Sequence, residues 1–492
     1  MKNYIPRFDE GLEGELKSLV FALKSKGAEF AEARFVSARR ELFNSRSGEL
    51  SRPYLNLSRG VGIRVLASGA WGFSATDNLT SESLVKTGLK AMEVAQAAAR
   101  VNSQKVVLPE RPPSVGEYGT AYEKDPFALS QDEKFGLITN WDEALNRKEF
   151  VKVSRATLGC QRLEKLYAAS DGSLVKQGFF FLSAGVQATA VSDGEVFIRS
   201  FPADYYANRQ AGFEFIESLE MDAAIEKLHS ELEELVKAPP TPTGKKDLIL
   251  TGPQLALQIH ESCGHPTELD RVLGEELSLA GSSFLVLERF KSGYRYGSEK
   301  VNLVADSTVA GGMGTFGWDD EGTPASFQYL VKEGRLAGYL SSRETAYRTG
   351  APLHGSVRAD EWSSFPIIRM TNVNLMPGDD GSLEDLISDT KDGLLIDVNR
   401  SWSIDDKRLN FQFGGELAWE IKNGKKTRIL KNPLYTGITP EFWRGMDAVC
   451  GESEWSLHGV PHCGKGDPIQ IMMVGHGCAP ARFKNVEVTE RK

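Results

Sequence analysis

The stretch Ile259-His260-Glu261-Ser262-Cys263-Gly264-His265-Pro266 constrains this chain more than any other. It sets two imidazoles, a carboxylate and a glycine–proline break side by side. Zinc takes nitrogen, sulfur and oxygen donors in tetrahedral array, and a site that does chemistry keeps three protein ligands and one open position. Helical sites usually space their histidines i and i+4, on one face. Here the spacing is i and i+5, which on a regular helix leaves the two rings about 140° apart. The backbone must therefore depart from a regular helix between them, by a π-bulge or by ending at Gly264. Gly264 tolerates a left-handed, helix-ending conformation, and Pro266 disfavours helical geometry at His265. The expectation is a helix over residues 253–262 with His265 on its unwound end. Glu261, beside the first ligand, is then the general base for a water held by the metal. Spacing alone fits two ordinary, partly buried histidines at a helix end equally well, so a third ligand has to decide.

A chain of 492 residues is long enough for two or three domains, and its 41% apolar and 25% charged residues are ordinary for a globular protein. A net charge of −9 and a pI near 5.5 argue against direct nucleic-acid contact, which needs clustered Lys and Arg. The first residues, MKNYIPRFDEGLEGEL, lack the apolar core of a signal peptide, and no apolar run approaches the roughly 20 residues of a membrane span. A cytoplasmic protein without membrane contact is expected. Five cysteines give no disulfide framework, and the grouping of Cys450, Cys463 and Cys478 near the C-terminus suits a metal ligand better.

Periodicity predicts an α+β fold. An amphipathic helix over residues 10–26 precedes strands over 30–43 and 54–66, with a hairpin turn at Ser68-Gly69. Glycines 60, 62, 69 and 72 match neither dinucleotide nor P-loop spacing, so they are read as sheet and turn glycines. Helices follow at 81–100, 131–146 and 221–237, hairpin turns at Asp171-Gly172 and Asp193-Gly194, and the run Phe179-Phe180-Phe181 is read as core. Residues 1–238 form the expected N-terminal α/β domain, with a mixed or antiparallel sheet and a possible subdivision near 108–118. Pro239, Pro240 and Pro242 mark a linker over 239–246. Residues 247–492 read as a β-rich, sandwich- or barrel-like domain carrying the metal-binding helix, with turns at Glu333-Gly334 and Asn423-Gly424 and a further helix about 383–390. Its acidic turn, Asp319-Asp320-Glu321, suits either an outer partner that orients a ligand histidine or a solvated turn.

The third ligand is sought around residues 458–467. Cys463 competes there with His458 and His462, and beyond with Cys450, Cys478 and His476. Spacing cannot choose among them; Cys463, between residues that let the backbone come close, is slightly preferred.

Together HESCGH at 260–265, WDDEGTPA at 318–325, HCGKG at 462–466 and GVGIRVLASGAWGFS at 60–74 resemble the TldD/PmbA family, in its TldD-type metallopeptidase branch. The resemblance takes in most of the chain. It implies that His260, His265 and Cys463 bind Zn2+ and that Glu261 is the base. It also implies hydrolysis of unfolded or flexible peptides inside a dimer, formed with an identical chain or with a PmbA-type paralogue lacking the motif. Ser262, Cys263 and Asp467-Pro468 depart from the usual pattern, and Cys263 adds a possible wrong ligand. Two other classes stand beside this reading: a non-catalytic binding or regulatory subunit, and a DNA-linked modulator, which the acidic balance disfavours.

Overall fold

The computed structural model describes residues 1–102, 104–202 and 207–491. Its class is α+β, with one large sheet in each half. Three long strands, Phe30–Arg46, Val151–Ala169 and Leu174–Ser192, form the centre of a nine-stranded N-terminal sheet. Tyr54–Ala67 and Ala70–Thr76 extend it on one side and Glu195–Phe201 on the other, all antiparallel. Val115–Gly119 adds a parallel pairing, so part of the connector expected at 108–118 is a strand. The Asp193-Gly194 turn places both residues in left-handed conformations, φ 51° and 79°, the geometry that matches the twist of a tight hairpin.

Side chains alternate between the two faces of a strand, and the two faces of this sheet meet different partners. Ala31, Ala33, Phe35, Leu158, Leu166, Ala184 and Val186 pack beneath the helices Glu10–Ser25, Ser81–Ala98, Gln131–Leu145 and Met221–Val236. Val36, Ala38, Leu163, Phe179 and Phe181 turn the other way, onto Met313 and Phe316 of the C-terminal half. The glycines of Tyr54–Ala67 serve that packing. A Cβ on Gly60 would lie 2.4 Å from the Trp362 indole, and one on Gly62 2.4 Å from the Trp362 carbonyl.

Of the linker expected over 239–246, only the first part runs along the edge of the C-terminal sheet, where the Thr241 amide donates to the Lys431 carbonyl at 3.1 Å; from Gly244 on the chain is already a central strand, Gly244–Leu250. That nine-stranded sheet is open and mixed. Its path runs through Asn399–Ile404, Asn410–Gly415, Pro433–Ile438, Ala481–Glu490, Gly244–Leu250, Asp392–Ile396, Leu417–Lys422 and Lys425–Lys431. Only Gly244–Leu250 and Asp392–Ile396 pair in parallel along this path. A four-stranded sheet containing Leu303–Asp306 and Val373–Leu375 and a two-stranded hairpin, Ser456–Lys465 with Gln470–Cys478, complete the half around one large apolar core.

One register in the large sheet positions the site. Gly244–Leu250 leads directly into the helix Gly252–Ile259, and the Cys463 hairpin leads directly into Ala481–Glu490. These two strands are antiparallel neighbours, with Leu250 opposite Ala481. The start of the helix and the end of the hairpin thus emerge side by side, although more than two hundred residues separate them in the chain.

Candidate metal centre

The helix begins with Pro253 in its first turn, where the missing N–H costs nothing, and buries Leu255, Ala256, Leu257 and Ile259. It does not stop at Ser262. His260–Gly264 is a π-turn, closed by the His265 amide donating to the His260 carbonyl, and a short 3-10 turn, His265–Thr267, follows. The wider turn brings residues i and i+5 onto one face, so the bulge, not the helix end, solves the spacing. Two local expectations are corrected. His265 stays helical at φ −58° and ψ −46°, because Pro266 opens the next short helix where it needs no donor. Gly264 is also right-handed, at φ −55°. It is glycine for space, since a Cβ there would sit 2.1 Å from the buried Met370 sulfur. The back of the turn is anchored through Ser262, whose Oγ accepts the Trp443 indole N–H at 2.9 Å and whose carbonyl accepts the Tyr296 hydroxyl at 2.9 Å.

His260, His265 and Cys463 meet, with one donor atom from each within 4.8 Å of the others and all three residues buried. The hydrogen bonds behind the rings fix which nitrogens are free. His476 Nδ1 donates to the Val373 carbonyl at 2.9 Å, so its Nε2 accepts from His260 Nδ1 at 2.8 Å. His265 Nδ1 donates to Glu268 Oε2 at 3.0 Å. Both histidines therefore present Nε2 lone pairs to the centre, and His265 Nε2 lies 3.6 Å from Cys463 Sγ. Burial pushes the His260 imidazole down to about 4 and the His265 imidazole well below its usual range, keeping both neutral. Burial alone would raise the Cys463 thiol, but the facing His265 and the Arg369 guanidinium outweigh it and lower it. Two neutral imidazoles and an acidified thiol are a donor set that fits zinc.

A buried ionic cluster supports this set. Lys465, two residues beyond Cys463, places its Nζ 2.7 and 2.8 Å from the Asp270 carboxylate and 3.5 Å from Glu268 Oε2. Arg271 Nε lies 3.6 Å from the same Glu268 oxygen. The cluster ties the hairpin to the helix and compensates the carboxylate that orients His265. Glu261 sits on the opposite flank. Its Oε2 accepts from Arg408 Nη1 at 3.0 Å, and among the described residues its Oε1 takes no protein partner.

The remaining candidates lie elsewhere. His476 stands behind His260, His458 pairs with Ser456, and His462 faces away from the centre on the exposed side of its strand. Cys450 and Cys478 are buried in the apolar core. Cys263 is fully buried there too, with its thiol pushed up by burial, so it is neither a competing ligand nor an exposed point of oxidation. The acidic turn neither orients a ligand histidine nor faces solvent. Asp320 pairs with Arg34 at 3.2 Å and Lys165 at 2.9 Å, and Glu321 with Arg64 at 2.9 Å, at the joint between the halves, where both carboxylates and both arginines are buried. Nothing in the local sequence announced Glu268, Arg271 or Arg408 as site residues. The spacing of Lys465 from Cys463, two along a strand and hence on the same face, was the one readable signal.

The family model of the PmbA/TldA metallopeptidase C-terminal domain matches residues 243–490, and that of PmbA/TldA metallopeptidase domain 1 matches residues 31–95. The chain belongs to the TldD/PmbA family of metallopeptidases. The longer match starts and finishes on the neighbouring strands Gly244–Leu250 and Ala481–Glu490, and so encloses helix and hairpin alike. Among TldD/PmbA relatives, a metalloprotease of Methanocaldococcus jannaschii is 28% identical over 452 residues, 92% of this chain and 95% of that protein. A zinc metalloprotease TldD homolog of Saccharolobus solfataricus is 22% identical over 432 residues, 86% of this chain and 89% of that one. The crystal structure of TldE from Thermococcus kodakarensis shares the fold, with a TM-score of 0.73 at 17% identity, covering 96% of this chain and all of that one (100%).

Proposed function

We propose that this chain is a zinc-dependent peptidase acting on unfolded or flexible peptides, with His260, His265 and Cys463 as the ligands and Glu261 as the general base. The observation that carries the reading is the tautomer chain: two separate hydrogen-bond routes, through His476 to Val373 and through Glu268, leave an Nε2 lone pair from each histidine facing the Cys463 sulfur. When bound, zinc supplies Lewis acidity that polarises the scissile carbonyl and acidifies water. Glu261, held by one oxygen and free at the other, takes the proton of the attacking water and later delivers it to the leaving amine. His476 and Glu268 hold the ligand rings in place through the reaction. All four residues of the centre are buried, between 3% and 6% exposed, which favours a thin, flexible chain over a folded protein as substrate.

Among the described residues no helix is long and apolar enough to cross a membrane, and we assign the chain to the cytoplasm. We also assign it a dimeric state, with an identical chain or a motif-less PmbA-type paralogue. Among the described residues the outer edge of Tyr54–Ala67 is unpaired before Val61, and Tyr54, Leu55 and Leu57 are exposed there at 54%, 49% and 71%, an apolar edge of the kind a second chain covers.

The test is elemental analysis of the wild type and Cys463→Ala, together with hydrolysis of an unfolded peptide by the wild type and Glu261→Gln. One zinc per chain, lost with Cys463, and turnover lost with Glu261 are expected. Stoichiometric zinc without Glu261-dependent turnover instead makes the chain a binding subunit.

A further inference from the structure

Arg408 lies at the reacting centre without a role in the scheme above. It sits on the turn between Asn399–Ile404 and Asn410–Gly415, in a left-handed conformation at φ 63°. That conformation is held on both sides. The Arg408 amide donates to the Asp405 carbonyl at 2.8 Å, the Leu409 amide to Asp405 Oδ1 at 2.8 Å, and the Thr439 hydroxyl to the Arg408 carbonyl at 2.8 Å. A non-glycine residue in this region costs on the order of 1–3 kcal/mol and persists where the surroundings over-determine it. The turn therefore fixes where the guanidinium starts.

The guanidinium uses one arm on Glu261, from Nη1 to Oε2 at 3.0 Å, and its Nε is buried with no partner among the described residues. Its side chain is 18% exposed against 9% for that of Glu261, so it is the more accessible member of the pair. A fork of five N–H donors has arms to spare, and a base that abstracts the proton of the attacking water lies within about one hydrogen bond of the carbonyl under attack.

Resting on the peptidase reading, we propose that Arg408 is a further catalytic residue, which holds Glu261 with one arm and donates another N–H to the oxyanion of the scissile carbonyl. As water adds, the new C–O bond forms, the carbonyl π pair moves to oxygen, and the water proton passes to Glu261 Oε1. The oxyanion then faces a cation already held in place by Glu261 and by its turn, the arrangement that stabilises a transition state with little reorganisation. On collapse the C–N bond breaks and Glu261 returns the proton to the amine nitrogen.

The test uses the full-length, zinc-loaded chain with Arg408→Met and Arg408→Lys, each checked for one zinc per chain. Two ligands are compared by equilibrium binding: a phosphonamidate peptide, whose tetrahedral anionic oxygens resemble the oxyanion, and the reduced-amide peptide of the same sequence, which has no such oxygen. Arg408→Met should lower kcat by about 10²–10³ with KM nearly unchanged. It should weaken the phosphonamidate by a comparable factor and leave the reduced-amide peptide within about threefold, with Arg408→Lys intermediate. Equal weakening of both ligands overturns the proposal, as does a loss confined to peptides with a free C-terminal carboxylate and absent from their amides. A gain in kcat also overturns it, showing Arg408 to be a clasp on the base. If the wild type itself shows no Glu261-dependent turnover, the peptidase reading has failed instead, and the two failures are distinguished.

Discussion

Replacing His476 by Phe keeps an aromatic ring of similar size behind His260 but removes both of its hydrogen bonds. In the wild type, His260 Nδ1–H and the Val373 carbonyl are each satisfied by this one residue, at 2.8 and 2.9 Å, in a site where His476 is fully buried. Without the acceptor, His260 loses what held its proton on Nδ1, and the tautomer with the proton on Nε2 has no lone pair facing the centre. Removing such an outer partner lowers metal affinity about 10- to 100-fold, which corresponds to about 1.4–2.7 kcal/mol. The orphaned N–H and C=O each cost about 1–3 kcal/mol more in the metal-free fold. Zinc affinity measured by chelator competition should therefore fall one to two decades in His476→Phe, and the metal-free protein should melt earlier. His476→Gln, whose side-chain amide can both accept from His260 and donate to Val373, should recover most of the affinity. If His476→Phe binds zinc as tightly as the wild type, the tautomer argument is wrong.

Gly264→Ala forces a methyl against the Met370 sulfur and should cost about 1–3 kcal/mol in denaturant unfolding with reduced zinc occupancy; a double-mutant cycle with Met370→Ala should show part of that cost disappearing. Cys263→Ala should lower stability yet retain one zinc per chain by elemental analysis, since this thiol packs into the apolar core away from the ligand set. Asp320 is held down to about 2, against burial, by Lys165 and Arg34. Because its folded value lies below the unfolded 3.8, its stabilisation is present above about pH 4 and lost as pH falls towards 2. Asp320→Asn should remove that part of the acid limb and, by leaving Arg34 and Lys165 uncompensated, destabilise the fold by about 3–5 kcal/mol at neutral pH. His260, pushed down to about 4, should not protonate at its ordinary 6.5, so zinc affinity followed by competition titration should show no break there on His260's account.

Local chemistry was readable wherever one short segment decides the outcome. The i and i+5 histidines demanded a distorted helix, and left-handed pairs such as Asp193-Gly194 marked tight hairpins. Helix ends followed their caps, as at Ser130, where the Glu133 side chain completes a capping box. The Phe179-Phe180-Phe181 run proved core on both faces of one strand, a reading that composition and alternation supported without any partner in view. What failed was inference about burial. The turn Asp319-Asp320-Glu321 looked solvated or histidine-orienting because the cations that pair with Asp320 and Glu321, namely Arg34, Lys165 and Arg64, come from a different sheet.

The residues from 260 to 265 by themselves determined that two histidines at this spacing could share one face only on a distorted turn, since the angular step of a helix is fixed by its backbone hydrogen bonds. They could not determine that Gly264 serves a sulfur atom of Met370, or that Arg408 reaches Glu261. Nor could they choose Cys463 over five other histidines and cysteines. The pairing of Leu250 with Ala481 brings the helix and the hairpin out of neighbouring strands, and within the hairpin the strand's alternation turns Cys463 inward and His462 outward. Ligand identity depends on the chain's own residue types, whereas ligand convergence depends on sheet register, a long-range property that no local spacing encodes.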